Sequence, residues 1–516
     1  MKKDIVLFVE CHWFYSFCRS AGSQRIATEL RNHGYSVQVI EFFGLFNQQE
    51  LDIIIQKYVG ENTLAVGFSS TNFTASNSDA YYGNVDCRTF IEARIIQATT
   101  RSYGGRPDNS FPFENNIMLE LIRKIKAINP KIKIIYGGSK AQNQMAKNID
   151  CNFISYADHH IINYVNQLQL DKLAGIESEL SELKTITYNK DTDPFIFKNS
   201  VIEWEEDDYV FPNEVVPIEV SRGCIFRCKF CSFPLNGKSN NDYVKDMDIL
   251  YQELITNYER HGITTYIFSD DTFNDSTEKL ERILSVVKRL PFRLRFTSYL
   301  RLDLLRAHPK QIHLLQEIGL QFAIFGIESL NQKTLQTIGK KLNFEKLKQI
   351  LTFIRNVWGN DVITYASFIF GLPFETKESL DFQAKWIIEE GLDYLHDIKT
   401  LPFFISRSTD ADINKSDISK NPFEFGFDYE PREGKSGWHN KTNDLYFSDM
   451  LNYSDQVNNK VLVDPRRRYG GFAGGMFANT GISFEELVRT PFIELPFERS
   501  LEGYTRRLSE YKAKVL

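Results

Sequence analysis

Ser221-Arg222-Gly223-Cys224-Ile225-Phe226-Arg227-Cys228-Lys229-Phe230-Cys231 carries three cysteines spaced C-x3-C-x2-C. Three thiolates this close in sequence can converge on one iron–sulfur cluster. A 4Fe–4S cluster has four irons, so three cysteines leave one iron open. An open position can bind substrate or cofactor, as in catalytic metal sites. Two plainer readings stand beside this one: a zinc site with a distant fourth ligand, or buried free thiols. No His lies within the motif and the other four cysteines are scattered singly, so no second ligand pair presents itself.

The 516 residues suggest two to four domains. Hydrophobic residues make up 42% and charged residues 25%, the balance of a globular protein. With 41 Phe and 24 Tyr, there is material for a large core and an aromatic-lined cavity. A net charge of −6 offers no broad attraction for nucleic acid or a membrane surface. No apolar run approaches the length of a membrane span, and Ile5–Val9 reads as a first strand rather than a signal peptide. Seven cysteines, an odd number in a long chain, argue against a disulfide scaffold. The expected location is the reducing cytoplasm.

Residues 1–165 alternate strand and helix. Strands are expected at Ile5–Val9, Ser36–Ile40, Leu64–Ser69 and Ile132–Gly138, with helices at Ser23–Asn32 and Asn116–Ala127. In the last helix Met118, Leu121, Ile122 and Ile125 share one face. This order implies a doubly wound, Rossmann-like parallel sheet, with ligands at the carboxyl ends of its strands. The polar stretch 71–112 reads as an insertion. Residues 166–212, with the acidic run Glu203–Asp208, read as a linker with a solvated face.

From 213 to 401 a second βα series runs. Its strands are expected at Val215–Val220, Thr265–Phe268, Leu294–Tyr299, Gln321–Phe325, Ile363–Phe370 and Tyr394–Leu401. Pro217 suits an edge strand. Asp275 and Glu278 form a candidate capping box for helix Ser276–Leu290. Six such units fit a partial (β/α)6 barrel of the TIM type, whose chemistry belongs at the strands' carboxyl ends. The cysteines follow the first strand there. Residues 402–516 read as an irregular α/β region that shapes the substrate site. It contains Trp438-His439, the basic run Arg466–Arg468 and the glycine-rich Gly470–Gly475.

The cysteine run, including Phe230 before the last cysteine, resembles the cluster motif of the radical S-adenosylmethionine (radical SAM) enzymes. The resemblance implies that Cys224, Cys228 and Cys231 hold a 4Fe–4S cluster whose open iron chelates the amino and carboxylate groups of SAM. Electron transfer then splits the sulfonium and releases a 5′-deoxyadenosyl radical. Four more segments follow the family in order. In Ser269-Asp270-Asp271-Thr272, Asp270 or Asp271 accepts from the SAM amino group; two adjacent buried carboxylates are costly, so one should face a cation or a ligand. In Ser298-Tyr299-Leu300-Arg301, Ser298 and Arg301 meet SAM, with pairing of Arg301 to Asp303 the plain alternative. In Gly326-Ile327-Glu328-Ser329, Glu328 accepts the ribose hydroxyls. In Phe370-Gly371-Leu372-Pro373, Gly371 lets backbone approach adenine.

The N-terminal half resembles the cobalamin-binding domain that precedes the barrel in many of these enzymes. Gly67-Phe68-Ser69 and Tyr136-Gly137-Gly138 match the loops that cradle the corrin and its nucleotide tail, which makes Ser69, Gly137 and Gly138 the candidate contacts. The Asp-x-His-x-x-Gly signature is missing; His12 is nearby at the wrong spacing. The resemblance implies hydrogen abstraction from an unactivated carbon of a small-molecule or peptide substrate, for cobalamin-dependent C-methylation. It also implies an electron donor such as flavodoxin or ferredoxin. The alternatives are a radical SAM rearrangement or oxidation without methylation, and a non-catalytic iron–sulfur redox protein.

Overall fold

The computed structural model describes residues 1–9, 17–69, 117–138, 141, 148–175, 184–189, 193, 197–233, 235, 237–238, 243–406, 413, 415–430, 434–435 and 437–516. The polar stretch 71–112 and His12 lie outside these residues.

Six strands form the first sheet: β1 (Ile5–Val9), β2 (Val37–Glu41), β3 (Ala65–Ser69), β4 (Lys133–Gly138), β5 (Cys151–Ile154) and β6 (Lys184–Thr187). Their order is β2-β1-β3-β4-β5-β6, and every pair is parallel. The order reverses between β1 and β3, which opens a crevice at the carboxyl edge. Apolar residues cover both faces: Val6, Phe8, Val66 and Ile134 on one, Ile5, Val39, Ala65 and Phe153 on the other.

The segment expected to be a linker is largely structured. Helix Asp158–Leu173 runs into it and β6 extends the sheet. The acidic run is a solvated face only in part, with Glu205 and Glu206 exposed. Asp208 is buried and takes two hydrogen bonds from the Arg31 guanidinium, at 2.9 and 2.8 Å, and Trp204 is fully buried. A charge run reads as solvated only while its partners, nearly 180 residues away in sequence, are unknown.

The second sheet holds β7 (Val216–Ile218), β8 (Thr265–Phe268), β9 (Arg295–Leu300), β10 (Leu320–Glu328), β11 (Ile363–Phe370) and β12 (Asp397–Pro402). All are parallel and lie in sequence order, with β7 and β12 as edges. This is the expected partial barrel, and Pro217 sits on an edge strand, where a missing donor is tolerated. The helix after β8 spans Thr277–Val287. Its N-cap is Ser276, which accepts from the Lys279 N–H at 3.3 Å; Asp275 instead pairs with the Lys279 ammonium at 2.6 Å.

The C-terminal region is more regular than expected and serves both sheets. Helix Phe447–Leu462 packs on β12, where Thr400 and Ser454 exchange hydrogen bonds. Residues 470–480 fill the amino-terminal end of the barrel lumen. A side chain at Gly474 or Gly475 would collide with Phe322 or Thr297, which explains the glycine run. The last helix, Phe497–Val515, returns to the first domain and places Leu501, Tyr504, Leu508 and Tyr511 in the core beside Phe42 and Tyr58.

Arg467 pairs with Asp397 at 2.6 Å, Arg466 with Asp464 and Asp393 at 2.8 Å each, and Arg468 donates to Val488 O. The arginine run is thus internal bracing. Trp438 is buried and donates to Phe403 O at 2.7 Å, and His439 pairs with Asp444 at 2.9 Å.

Candidate cluster and cofactor site

Strand β7 ends at Ile218 and the cysteine loop begins three residues later, so the loop crosses the carboxyl end of the barrel. Gly223 adopts φ +98, and a side chain there would meet Leu235. Cys224 is buried; its Sγ lies 3.2 Å from Thr272 Oγ1 and accepts from the Phe226 N–H at 3.4 Å. Cys228 accepts from Arg301 Nη1 at 3.3 Å. Cys151, Cys224 and Cys228 form no disulfide.

Among the described residues, no three His, Cys, Asp or Glu side chains close to the spacing of a single metal ion. A cluster sets a weaker demand. Each cysteine binds a different iron, so its sulfurs stand farther apart than ligands of one ion. Three thiols on one loop, two of them already beside N–H or O–H groups, fit that group. Phe230 is half-buried against the barrel core, with the Lys340 ammonium 6.0 Å from its ring.

The paired carboxylates after β8 separate in role. Asp270 is fully buried and accepts from Val220 N–H at 3.2 Å and from the backbone and hydroxyl of Ser221. Burial pushes its carboxyl up to about 6. It ties β7 to β8 and is spent on the fold. Asp271 accepts from Gly223 N–H, and its Oδ2 is buried without a hydrogen-bond partner. Burial, with Asp270 and Glu219 close by, pushes it up to about 7. Asp271 is therefore the carboxylate available to a ligand.

Ser298 shares its strand face with Phe296 and Leu300, in the core between sheet and helices. It points away from the lumen and drops out of the SAM-facing set. Arg301 makes the pairing with Asp303 that was the plain alternative for it. Its Nε and Nη2 grip Asp303 at 2.9 and 2.6 Å, and its remaining nitrogen reaches Cys228. Glu328 is not a solvent-facing loop residue. It sits at a bulge ending β10, buried, at φ +71, with Lys340 Nζ at 3.3 Å. A non-glycine residue held in this region marks a backbone constrained by its surroundings.

Gly371 has φ +91, and a side chain there would collide with Trp438. Its N–H and that of Leu372 donate to Glu375 Oε2 at 2.7 and 3.1 Å, and Ser329 Oγ donates to Oε1 at 2.7 Å. Glu375 thus ties the ends of β10 and β11 together, a role no motif announced. Tyr365, Ser367 and Lys399 belong to no motif either. Register places Tyr299, Ile324 and Tyr365 side by side, and Gly326, Ser367 and Lys399 in the next lumen layer. Burial, followed by nearby Arg467, pushes the Lys399 ammonium down to about 7. Strand periodicity was the signal that could have found them.

A cavity occupies the carboxyl edge of the first sheet. It is lined by Gly67, Ser69, Gly137, Gly138 and Ser155, and by Arg222 from the cysteine loop. The Ser155 hydroxyl is buried without a partner, at φ +74. Arg25, Asp158, Glu219 and Arg222 form a buried charge network along its wall. Arg25 Nε lies 3.1 Å from Glu219, and Arg222 donates to Asp158 at 3.1 Å and Glu219 at 3.0 Å. An apolar cavity with an orphaned hydroxyl fits a large, partly polar ligand such as a corrin. Gly67 and Gly137 themselves are glycine for internal reasons: a side chain would collide with Leu7 and Phe153.

Residues 218–387 match the Radical SAM superfamily. The chain therefore carries a radical SAM domain over this stretch. The radical SAM domain so defined starts at the last residue of β7 and takes in the cysteine loop and β8 to β11. Its family uses a 4Fe–4S cluster and SAM. The anaerobic magnesium-protoporphyrin IX monomethyl ester cyclase of Rubrivivax gelatinosus is 29% identical over 184 residues, 35% of this chain and 32% of that protein. The bacteriochlorophyllide d C-12(1)-methyltransferase of Chlorobaculum tepidum is 23% identical over 185 residues, 35% of this chain and 39% of that protein. These matches span about a third of the curated relatives' length.

Among solved structures, the radical SAM methyltransferase TsrM of Kitasatospora setae, with cobalamin and a [4Fe-4S] cluster bound, aligns over 99% of this chain and 100% of its own. The TM-score is 0.57 at 12% identity, a likeness of fold. OxsB, a cobalamin-dependent radical SAM enzyme with aqua-cobalamin and SAM bound, aligns over 82% of this chain and 56% of its own, with TM-score 0.50 and 14% identity.

Proposed function

We propose that this radical SAM protein is a cobalamin-dependent C-methyltransferase of a small molecule or peptide. The observation that carries the reading is one residue shared by two sites. Arg222 lines the cavity of the first sheet and stands two positions before Cys224. The cavity therefore opens beside the cluster loop, as a methyl carrier must. The methyltransferase names among the relatives and the whole-length likeness to TsrM support it.

Cys224, Cys228 and Cys231 would hold the cluster, and Ser69, Gly138 and Ser155 would face the corrin. When bound, the cluster supplies the electron that cleaves SAM to a deoxyadenosyl radical, and cobalamin carries the methyl group. The chain's own residues position and exclude. Asp271 offers a free carboxylate oxygen to the SAM amino group, and Glu328 offers a carboxylate held in place by Lys340. Tyr299, Tyr365, Ser367 and Lys399 present a polar wall inside the lumen, the natural seat of the substrate. The lumen floor is sealed by residues 470–480, so water is excluded from below.

The test is anaerobic reconstitution with iron, sulfide and hydroxocobalamin. The expected result is a corrin absorption band beside the cluster band, and deoxyadenosine released from SAM with dithionite. A cluster with deoxyadenosine release and never a corrin band would replace methylation by the rearrangement or oxidation reading. A cluster without SAM cleavage would leave the redox protein.

A further inference from the structure

The inward faces of the barrel strands enclose a hollow. In β11, Ala366, Phe368 and Phe370 are fully buried against the helices, while the alternating Tyr365, Ser367 and Ile369 are half-buried. β11 lies between β10 and β12, so the accessible side chains on its other face look into the lumen. β12 repeats the pattern: Thr400 bonds to Ser454 on the helix side, and Lys399 and Leu401 are half-buried on the other. Tyr299, on the interior strand β9, keeps 39% exposure. Residues 470–480 close this space below, so it opens at the carboxyl ends, toward the cysteine loop. Charge within the hollow is unevenly balanced. Asp397, one layer below Lys399, accepts from Arg467 at 2.6 and 3.3 Å and from the Gly470 N–H at 3.1 Å. Glu328, one layer above, faces the Lys340 ammonium at 3.3 Å. Lys399 stands between these two pairs, beside Ser367 in register. Burial, followed by Arg467, holds its ammonium down at about 7, and the carboxylates of Asp397 and Asp455 offset this only in part. An ammonium kept from water gains from a negative charge brought to it.

We propose that the substrate carries a carboxylate and that Lys399 and Ser367 hold it, an inference that deepens the C-methyltransferase reading and rests on it. One ammonium balances one negative charge, which selects a carboxylate over a phosphate dianion. Above this pair Ile369 and Leu401 lie side by side in register, and below it stand the rings of Tyr299 and Tyr365. A wall of this kind accepts an apolar or aromatic body. The carboxylate is the fixed end. The body then runs from Lys399 past Ile369 and Leu401 toward the cysteine loop, so the carbon that reacts stands away from the carboxylate.

The test uses full-length protein reconstituted with cluster and cobalamin, and two probes: 2-naphthoate and its neutral isostere 2-naphthamide. In calorimetric titration, wild type should bind naphthoate about tenfold or more tighter than naphthamide, the reach of a charged hydrogen bond. Lys399→Gln should abolish that preference, and Lys399→Arg should restore most of it. Wild type alone gives a second measurement, which stands even where a variant fails to fold. Limited acetylation at pH 7, mapped by mass spectrometry, should modify Lys399; naphthoate should protect it and naphthamide should not. Equal affinity of wild type for the two probes, including binding of neither, overturns the proposal. So does a naphthoate preference that survives in Lys399→Gln, and so does acetylation that never reaches Lys399 or that naphthoate leaves unchanged. The methyltransferase reading fails separately, through a missing corrin band or missing deoxyadenosine in the same preparation, read before any probe is added.

Discussion

Arg301 donates to Cys228 Sγ at 3.3 Å while its other two guanidinium nitrogens are clamped by Asp303. The clamp fixes the fork, so the third arm cannot swing from the sulfur. The ring of Phe226, 3.7 Å below the guanidinium carbon, fixes the plane. If Cys228 ligates the proposed cluster, a charged donor on its sulfur would favour the reduced, more negative state.

Removing that donor has a definite sign. Arg301→Leu should lower the cluster's reduction potential by about 60 mV, a tenfold change for a one-electron couple. Iron content should stay near wild type, since the three cysteines are intact. A redox titration followed by electron paramagnetic resonance reads this directly. An unchanged potential would show that the contact does not reach the cluster.

The two adjacent aspartates should behave oppositely. Asp270→Ala leaves the Val220 and Ser221 N–H groups without their acceptor and should cost about 1–3 kcal/mol of stability. Asp271→Ala removes a carboxylate with an unpartnered oxygen and should cost far less. SAM affinity should follow the reverse order, weakening with Asp271→Ala. Urea unfolding and calorimetric titration on both variants decide it. Equal effects in either assay would remove the division of labour.

The last helix should matter to the first domain. Tyr511 is fully buried, and its hydroxyl accepts from the Glu41 N–H at 2.9 Å. Tyr511→Phe should cost about 1–3 kcal/mol by orphaning that N–H. Tyr511→Ala should cost about 3–5 kcal/mol through the added cavity. Hydrogen exchange should locate the loss in β1 and β2. Exchange confined to the barrel would contradict the packing.

Glu375 makes stability depend on pH. Burial raises its folded carboxyl to about 7, above the ordinary value. The folded state therefore holds this proton more tightly than the unfolded chain. The contribution is complete below about pH 4 and is lost as pH rises through 7. Each tenfold difference in proton affinity is worth roughly 1.4 kcal/mol, so the loss is about 3 kcal/mol. Glu375→Gln should flatten the decline between pH 5 and 8 relative to wild type. Parallel stability profiles for the two proteins would show that Glu375 keeps an ordinary carboxyl.

Local pattern by itself determined much of this protein. The cysteine spacing, the strand runs of both sheets and their order at the barrel mouth are short-range signals, and hydrophobic periodicity expresses them directly. Pairing of distant residues was decided only by the tertiary structure. Nothing near Asp208 in sequence points to Arg31, and nothing in Phe497–Val515 says that it completes a core begun at Val6. Asp270 and Asp271 are chemically identical neighbours, and only the direction of each side chain made one a structural tie and the other a free acceptor. The same holds for Ser298, which strand alternation turned into the helix layer, and for Lys399, which register turned into the lumen. Residue identity sets what a side chain is able to do, but burial and partners, which depend on the whole chain closing on itself, select which of those things it does.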